Sequence, residues 1–471
     1  MSFYQSALDI AAESRDAPDS IPARTSAILS ALDDLGRRLS ATRFLDEDFS
    51  LSQAETQATE TDRSAPLFGV PLAHKELYGR LTPAGPWPDE GGSSSCEGQT
   101  AHQTAFAISQ LDKAGSIDCG RLVSVEYALG VTGHNEFAGT PKNPWNPDYI
   151  CGGSSSGSGS VVAAGIVPGA LGSDTGGSIR LPAAACGLVG IKPTYGVVSR
   201  SGVFPLSHSL DTVGPLSRSV ADGAAILQAI TGFDATDSCS LEVPAEDYSR
   251  NLDKGVAELS IGLCEDYFLT GSDTDMADMT ADSFALCQTL GAKGRAVKLS
   301  NIDIINPLNV LMIATEAAQI HRTVACDKGH MLNDQTLMRI LAGAFTTAED
   351  YHVLQQSRAR AIAAVMEEVF DKVDILMTPV WPFALPTIEA SDVGATPDAA
   401  PLMQRIGHNT RPVNFLGLPS VCLPTGWDKN GLPVSVQLIG KPYSETTLLQ
   451  AAAALEREYR FWDRTPDLDK I

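Results

Sequence analysis

The chain has 471 residues, 43% of them hydrophobic and 19% charged, enough for two to three ordinary domains or one large α/β unit with a sizeable core. Its formal net charge of −23 repels nucleic acid phosphates and anionic membrane surfaces, so neither is expected as a partner. Nine cysteines are dispersed with no CxxC pair and no His/Cys cluster, so reduced thiols in a cytoplasmic protein are expected, with no disulfide framework and no metal.

The N-terminal "MSFYQSALDIAAESRDAPDS" lacks a basic segment followed by an apolar core, and no signal peptide is expected. No run of about 20 uninterrupted apolar residues occurs, so no membrane span is expected either. Residues 1–65 read as helices packing on a core, with Ile28, Leu32 and Leu35 at helical spacing. Next, "LFGVPLAHKELYGR" holds a short apolar core interrupted by Pro71, which suits a strand end. "AHQTAFAISQLDKAGSIDCGRL" reads as a helix stopped near Gly115 and then a strand, an alternation that favours an α/β sheet. "NEFAGTPKNPWNPDYI", with three prolines and three asparagines in sixteen residues, reads as loop. From 236 to 375 the spacing is largely helical. Residues 376–471 then read as strands, "VDILMTPVWPF" and "LPVSVQLIG", and a closing helix, "TLLQAAAALEREYRF".

Three segments can carry chemistry. Lys75 in "GVPLAHKELYG" ends an apolar, strand-like run, where a lysine is rarely buried without a role. "CGGSSSGSGS", residues 151–160, contains five serines and four glycines. Its Gly153–Gly157 register matches the G-x-S-x-G elbow with Ser155 as nucleophile, but "NPWNPDYICG" before it does not read as the strand that elbow requires. In "GSDTGGSIRLP", glycines let backbone N–H groups converge beside Ser178, forming an anion-attracting nest next to a hydroxyl. The eight histidines include no HExxH and no i,i+4 pair, and none is favoured for a Ser-His-Asp triad.

Together, "GGSSSGSGSVVAAGIVPGALGSDTGGSIRLPA" resembles the amidase signature family of serine hydrolases, with the family pattern in register along its length. "GVPLAHKE", "NPWNPD", "SLDTVGPLSRSVAD" and "NFLGLPSVCLPTGWDKNGLPVSVQLIG" resemble its other blocks, and the similarity is weakest from about 235 to 375. The resemblance implies an α/β fold with a mixed central β-sheet flanked by helices on both faces. Residues 66–235 would then be the catalytic core, 236–375 a variable region, and 376–471 the completion of the same domain. It implies a Ser-cisSer-Lys triad of Ser178, Ser154 and Lys75, with Ser154 standing 24 positions before the nucleophile. It implies an oxyanion hole from the backbone N–H groups of Thr175, Gly176, Gly177 and Ser178, with Asp174, Arg180, Asp211 and Ser155 as supports. No cofactor is implied. Two departures stand out: Glu76 replaces the usual Asp after the lysine, and Ser156 replaces a glycine.

The division of labour is chemically sound. A serine hydroxyl needs a base, and lysine, with a reference pKa of about 10.4, is neutral in only about one copy in two thousand at pH 7. Burial lowers that pKa, and a hydroxyl between lysine and nucleophile can relay the proton. The expected activity is hydrolysis of a small-molecule amide or urea-like compound. The alternative is the amidase component of a tRNA-dependent amidotransferase, which frees ammonia from glutamine inside a complex. Those components usually carry Tyr-x-x-Asp-x-x-Thr-x-Pro-x-Asn, where this chain has "QRIGHNTRPVN" with Gly407 at the Asp position. An inactive scaffold and an α/β-hydrolase using Ser155 are the remaining alternatives. Trp87, Tyr127, Phe137 and Trp381 are candidates to line the pocket, expected within 76–100, 125–150 and 300–415. A homodimer is the arrangement the resemblance suggests.

Overall fold

The computed structural model describes residues 4–244, 246–394 and 397–471. Its main sheet has eight strands. Their order is Lys293–Ala296, Ser260–Leu263, Ile375–Pro379, Pro433–Gly440, Ser420–Trp427, Val189–Lys192, Thr212–Ser217 and Gly169–Asp174. The first three strands run parallel, and every later pairing is antiparallel, so the sheet is mixed as expected. Side chains alternate between its faces. Val421, Leu423, Val436 and Leu438 enter one core with residues of the helices Val220–Ile230 and Glu445–Tyr459. Cys422 enters another core with residues of the helices Ser156–Ala163 and Arg180–Cys186. Local signals set the helix ends. Ser219 caps Val220–Ile230 by accepting from the Asp222 N–H. Gly187, with φ of 73°, closes Arg180–Cys186.

A second sheet holds Thr42–Phe44, Ser116–Leu122 and Val70–Lys75 in that order, the last two parallel. Val70–Lys75 is an edge strand, which is where a strand tolerates a proline such as Pro71. Its neighbour across the gap is Gly169–Asp174, the edge strand of the main sheet. Both edges are buried, and side chains bridge them. The Leu171 N–H donates to His74 Nδ1 at 3.2 Å, and the Tyr78 hydroxyl donates to the Gly172 carbonyl at 2.6 Å. Bridging in this way satisfies buried backbone groups that a continuous ladder would otherwise pair. The seam between the two sheets is where Lys75 lies.

Three readings of the sequence change. Residues 1–65 are not all helical, since Thr42–Phe44 is a strand that pairs with Ser116–Leu122. The Asn/Pro-rich stretch is not wholly loop: Lys142–Asn143 pairs with Asn146–Ile150 around a turn in which Asn143 Oδ1 accepts from the Trp145 N–H. The segment 236–375 contains the expected helices, Thr274–Thr289, Ile302–Lys328 and Ala348–Val365, but it also supplies Ser260–Leu263 and Lys293–Ala296. Those strands are four residues each, and the outer one is mostly exposed, so neither shows a period-2 pattern. Among the described residues no helix is long and apolar enough to cross a membrane.

Candidate active site

Lys75 is the last residue of Val70–Lys75, and its side chain is completely buried. Its ammonium nitrogen donates to Ser154 Oγ at 2.7 Å and to Ser173 Oγ at 2.9 Å. Burial pulls its pKa down to about 7, against the opposing charges of Asp211, Asp174 and Glu76. A base with that pKa is about half neutral at pH 7. Sequence reasoning missed Ser173, although it sits beside Asp174 at the end of a fully buried strand.

The serine-glycine stretch forms a turn and then a tightly packed helix. The Gly153–Ser154 peptide bond is cis. Ser154 is buried, and its carbonyl accepts from the Val125 N–H at 3.1 Å. Ser155 Oγ is tied to the Ser173 backbone, with its N–H and carbonyl at 3.3 and 3.4 Å. The Ser155 N–H also donates to the Ser178 carbonyl at 3.3 Å, joining the two halves of the site. Ser156 Oγ is buried with no hydrogen-bond partner among the described residues.

Ser178 follows the turn Thr175–Gly176–Gly177 and lines a cavity of about 110 Å³. Gly177 has φ of 131°, and a Cβ there would stand 2.8 Å from Thr410 Cβ, so only glycine fits. Asp174 braces the turn. Its carboxylate accepts from the N–H groups of Gly177 at 2.7 Å and Ile179 at 3.1 Å, from Arg180 Nε at 3.1 Å and from Asn414 Nδ2 at 2.8 Å. Burial alone would raise the Asp174 pKa, but the Arg180 guanidinium and these donors hold it well below the usual carboxylate range. Arg180 also donates to Gln437 Oε1, the Thr410 carbonyl and Asn414 Oδ1 at 2.8, 3.1 and 2.6 Å. Asp211 accepts from Thr175 Oγ1 at 2.6 Å and from the Leu206 and Ser207 N–H groups. Burial still leaves the Asp211 pKa raised.

The Gly177 N–H is therefore committed to Asp174, whereas those of Thr175, Gly176 and Ser178 make no hydrogen bond among the described residues. Nor, among them, does a hydrogen bond join Ser154 Oγ to Ser178 Oγ; Ser155 and the Lys75 seam connect the two. Glu76, the unusual residue after the lysine, accepts from the Ser124 N–H and Oγ at 2.7 and 3.1 Å and lies 3.5 Å from Arg43 Nε. Burial raises its pKa to about 7.

The cavity wall combines Leu129, Val131 and Leu206 with Val310, Ile313 and Ala314, and it carries two cations, Arg339 and Arg411. None of the four aromatic candidates lines it. Trp87 is buried, its indole N–H donating to Asp46 and the Arg121 guanidinium stacked on it. Tyr127 is fully buried and stacks on His321. Trp381 donates to the Leu181 carbonyl, and Phe137 lines a separate pocket beside Glu126 and His134. The core takes large aromatic residues because they bury the most apolar area. Residues 76–100 contribute nothing to this wall. Among the described residues, no group of three or more His, Cys, Asp or Glu is placed to hold a metal ion.

Comparison with known proteins adds independent findings. A family model described as Amidase matches residues 24–449. One of the glutamyl-tRNA(Gln) amidotransferase subunits of Neisseria gonorrhoeae is 33% identical over 468 residues, 94% of this chain and 95% of that protein. Among solved structures, a chain from a vestigial protein complex that bears on the evolutionary origins of an s-triazine catabolic enzyme superimposes with a TM-score of 0.87. It has 29% identity, and the match covers 96% of this chain and 98% of that one. A bacterial aryl acylamidase of the amidase signature enzymes also reaches a TM-score of 0.87, at 25% identity, with 99% and 98% coverage.

Proposed function

The chain belongs to the amidase signature family, and from that premise we propose that it hydrolyses the C–N bond of a small-molecule linear amide or urea-like compound through an acyl-enzyme on Ser178. Lys75, in its neutral form, takes the proton of Ser154 as Ser154 takes that of Ser178. Ser178 Oγ attacks the amide carbonyl, and the N–H groups of Thr175, Gly176 and Ser178 stabilise the resulting oxyanion. The relay then returns the proton to the leaving nitrogen, the C–N bond breaks, and ammonia or an amine departs. Water, activated by the same relay, cleaves the acyl-enzyme and restores Ser178. Asp174 and Arg180 hold the turn in shape, and Asp211 fixes Thr175.

The observation that carries this reading is Lys75, completely buried with two hydroxyls as its hydrogen-bond partners, on the seam that leads to Ser178. An amide panel assayed for ammonia or amine release tests it. Ser178→Ala and Lys75→Ala are expected to lose roughly a thousandfold or more in kcat/KM, and near wild-type turnover by either would overturn the assignment. A fluorophosphonate probe is expected to label the wild type and not Ser178→Ala. Label on Ser155 would point to the hydrolase alternative, and no label to a scaffold. Light scattering on the purified chain tests the homodimer that belongs to the same reading.

The second reading is the glutamine-hydrolysing component of a tRNA-dependent amidotransferase. The identities of the sequence relatives support it more directly than they support a stand-alone amidase. Against it stands Gly407, where those components usually carry a carboxylate. A Cβ at Gly407 would lie 2.5 Å from Arg411 Nε, so Arg411 fills the space that an acidic side chain would need. Glutaminase assays on the chain alone and with partner proteins of such a complex separate the readings.

A further inference from the structure

The cavity at Ser178 has an unusual charge pattern. Of its described lining residues two are arginines, none is acidic, and most of the rest are apolar. Arg339 projects from the helix Asp334–Gly343, and Arg411 from the start of Arg411–Phe415. Neither makes an ion pair among the described residues. Among the described residues the Arg411 side chain donates only to neutral oxygens, Asn306 Oδ1 at 3.2 Å and the carbonyls of Gln404 at 2.8 Å and Met403 at 3.4 Å. Arg339 donates to the Leu129 carbonyl and approaches Met403 Sδ at 4.0 Å. A guanidinium has five N–H donors, so both keep donors in reserve.

Two cations sharing a largely apolar cavity with no anion between them are costly, because each loses hydration and repels the other. Burial lowers the pKa of Arg411 to about 10, with Arg339 adding to the fall. A third polar group is also unsatisfied. Asn309, fully buried on Ile302–Lys328, pairs neither Nδ2 nor Oδ1 among the described residues. Its Oδ1 lies 3.6 Å from the point a Cβ on Gly176 would occupy, so it borders the turn before Ser178. Two guanidinium groups with donors in reserve on one cavity wall call for a polar, anionic guest.

We propose that Arg339 and Arg411 form an anion clamp, and that the substrate is a small amide or urea-like compound bearing a carboxylate and no ammonium group. This rests on the amidase reading above and narrows its substrate. Planar guanidinium groups match carboxylate geometry, and the pair holds the anion while the amide carbon meets Ser178. The cavity of about 110 Å³ suits a small guest. An α-ammonium group would meet two like charges and no counter-ion, which discriminates against free amino acid amides such as glutamine.

The test measures binding without turnover. Ser178→Ala protein is titrated calorimetrically with succinamate, butyramide and glutamine, which share a short primary amide and differ in charge. Succinamate is expected to bind roughly tenfold or more tightly than either of the others. Adding Arg411→Met or Arg339→Met should remove most of that preference, while Arg411→Lys, which keeps the charge, should retain part of it. Equal affinity for succinamate and butyramide, tighter binding of glutamine, or a preference unchanged in both methionine variants would overturn the clamp. The first comparison needs no arginine variant, so a variant that fails to fold leaves the proposal testable. Failure of the amidase reading would show separately, as an absence of amide hydrolysis by the wild type despite measurable binding.

Discussion

At Lys75, burial brings the pKa to about 7, whereas an exposed lysine would be almost wholly charged at that pH. In the proposed relay the active form is the neutral amine, so activity rises with pH. We expect kcat/KM to fall about tenfold per pH unit below 7 and to level off above it. A pH–rate profile from about 5 to 9 with a neutral amide checks this, and a flat profile would remove Lys75 as base. Lys75→Arg should be inactive throughout, because a guanidinium does not give up its proton in this range. That Lys75 is a candidate is legible from its place after an apolar run, and its proposed role as base from the family resemblance. The contact made by Ser173 is not, because a serine in a strand is common and its value lies in a partner 98 positions away in sequence.

Among the elements, the helix Ser156–Ala163 explains why the serine-glycine stretch is so poor in large side chains. A Cβ on Gly157 would lie 2.7 Å from the Ala41 carbonyl oxygen and from the Val123 backbone. That backbone cannot yield, since the Gly157 N–H donates to the Val123 carbonyl at 2.9 Å. Gly157→Ala is therefore expected to destabilise the protein by about 1–3 kcal/mol, although alanine is the better helix former. A lower urea midpoint at unchanged m-value would show it; an unchanged or higher midpoint would contradict it. The stretch that reads by composition as a linker is thus a packed helix. Its small residues are visible in the sequence, but the two chain segments that press on it are not.

Across the whole molecule, Arg180 ties the Gly169–Asp174 strand to the C-terminal quarter through Thr410, Asn414 and Gln437. It is fully buried, and so is its partner Asp174. Arg180→Met should cost about 3–5 kcal/mol, because it leaves a buried carboxylate short of its counter-ion. It should also lower kcat by loosening the turn before Ser178, and chemical denaturation together with kinetics checks both effects. A variant as stable as the wild type would show that the pair is not a strut.

The residues from 151 to 182 carried the resemblance to the family and pointed to two members of the proposed triad, Ser154 and Ser178, with Lys75 supplied by "GVPLAHKE", because a turn that holds a hydroxyl beside converging N–H groups demands glycine, serine and small residues at fixed spacing. Alternating strands and helical spacing were enough for the fold class. Tertiary structure alone decided three things. It placed Lys75 on a buried seam between two sheet edges, where desolvation sets its pKa. It assigned Trp87, Tyr127 and Trp381 to the core, where they bury more area than a small cavity could offer. It brought Arg339 and Arg411, 72 positions apart in the sequence, onto one cavity wall, with Arg411 filling the space above Gly407. Charge and burial at a site depend on which chain segments meet there, and that is a property of packing.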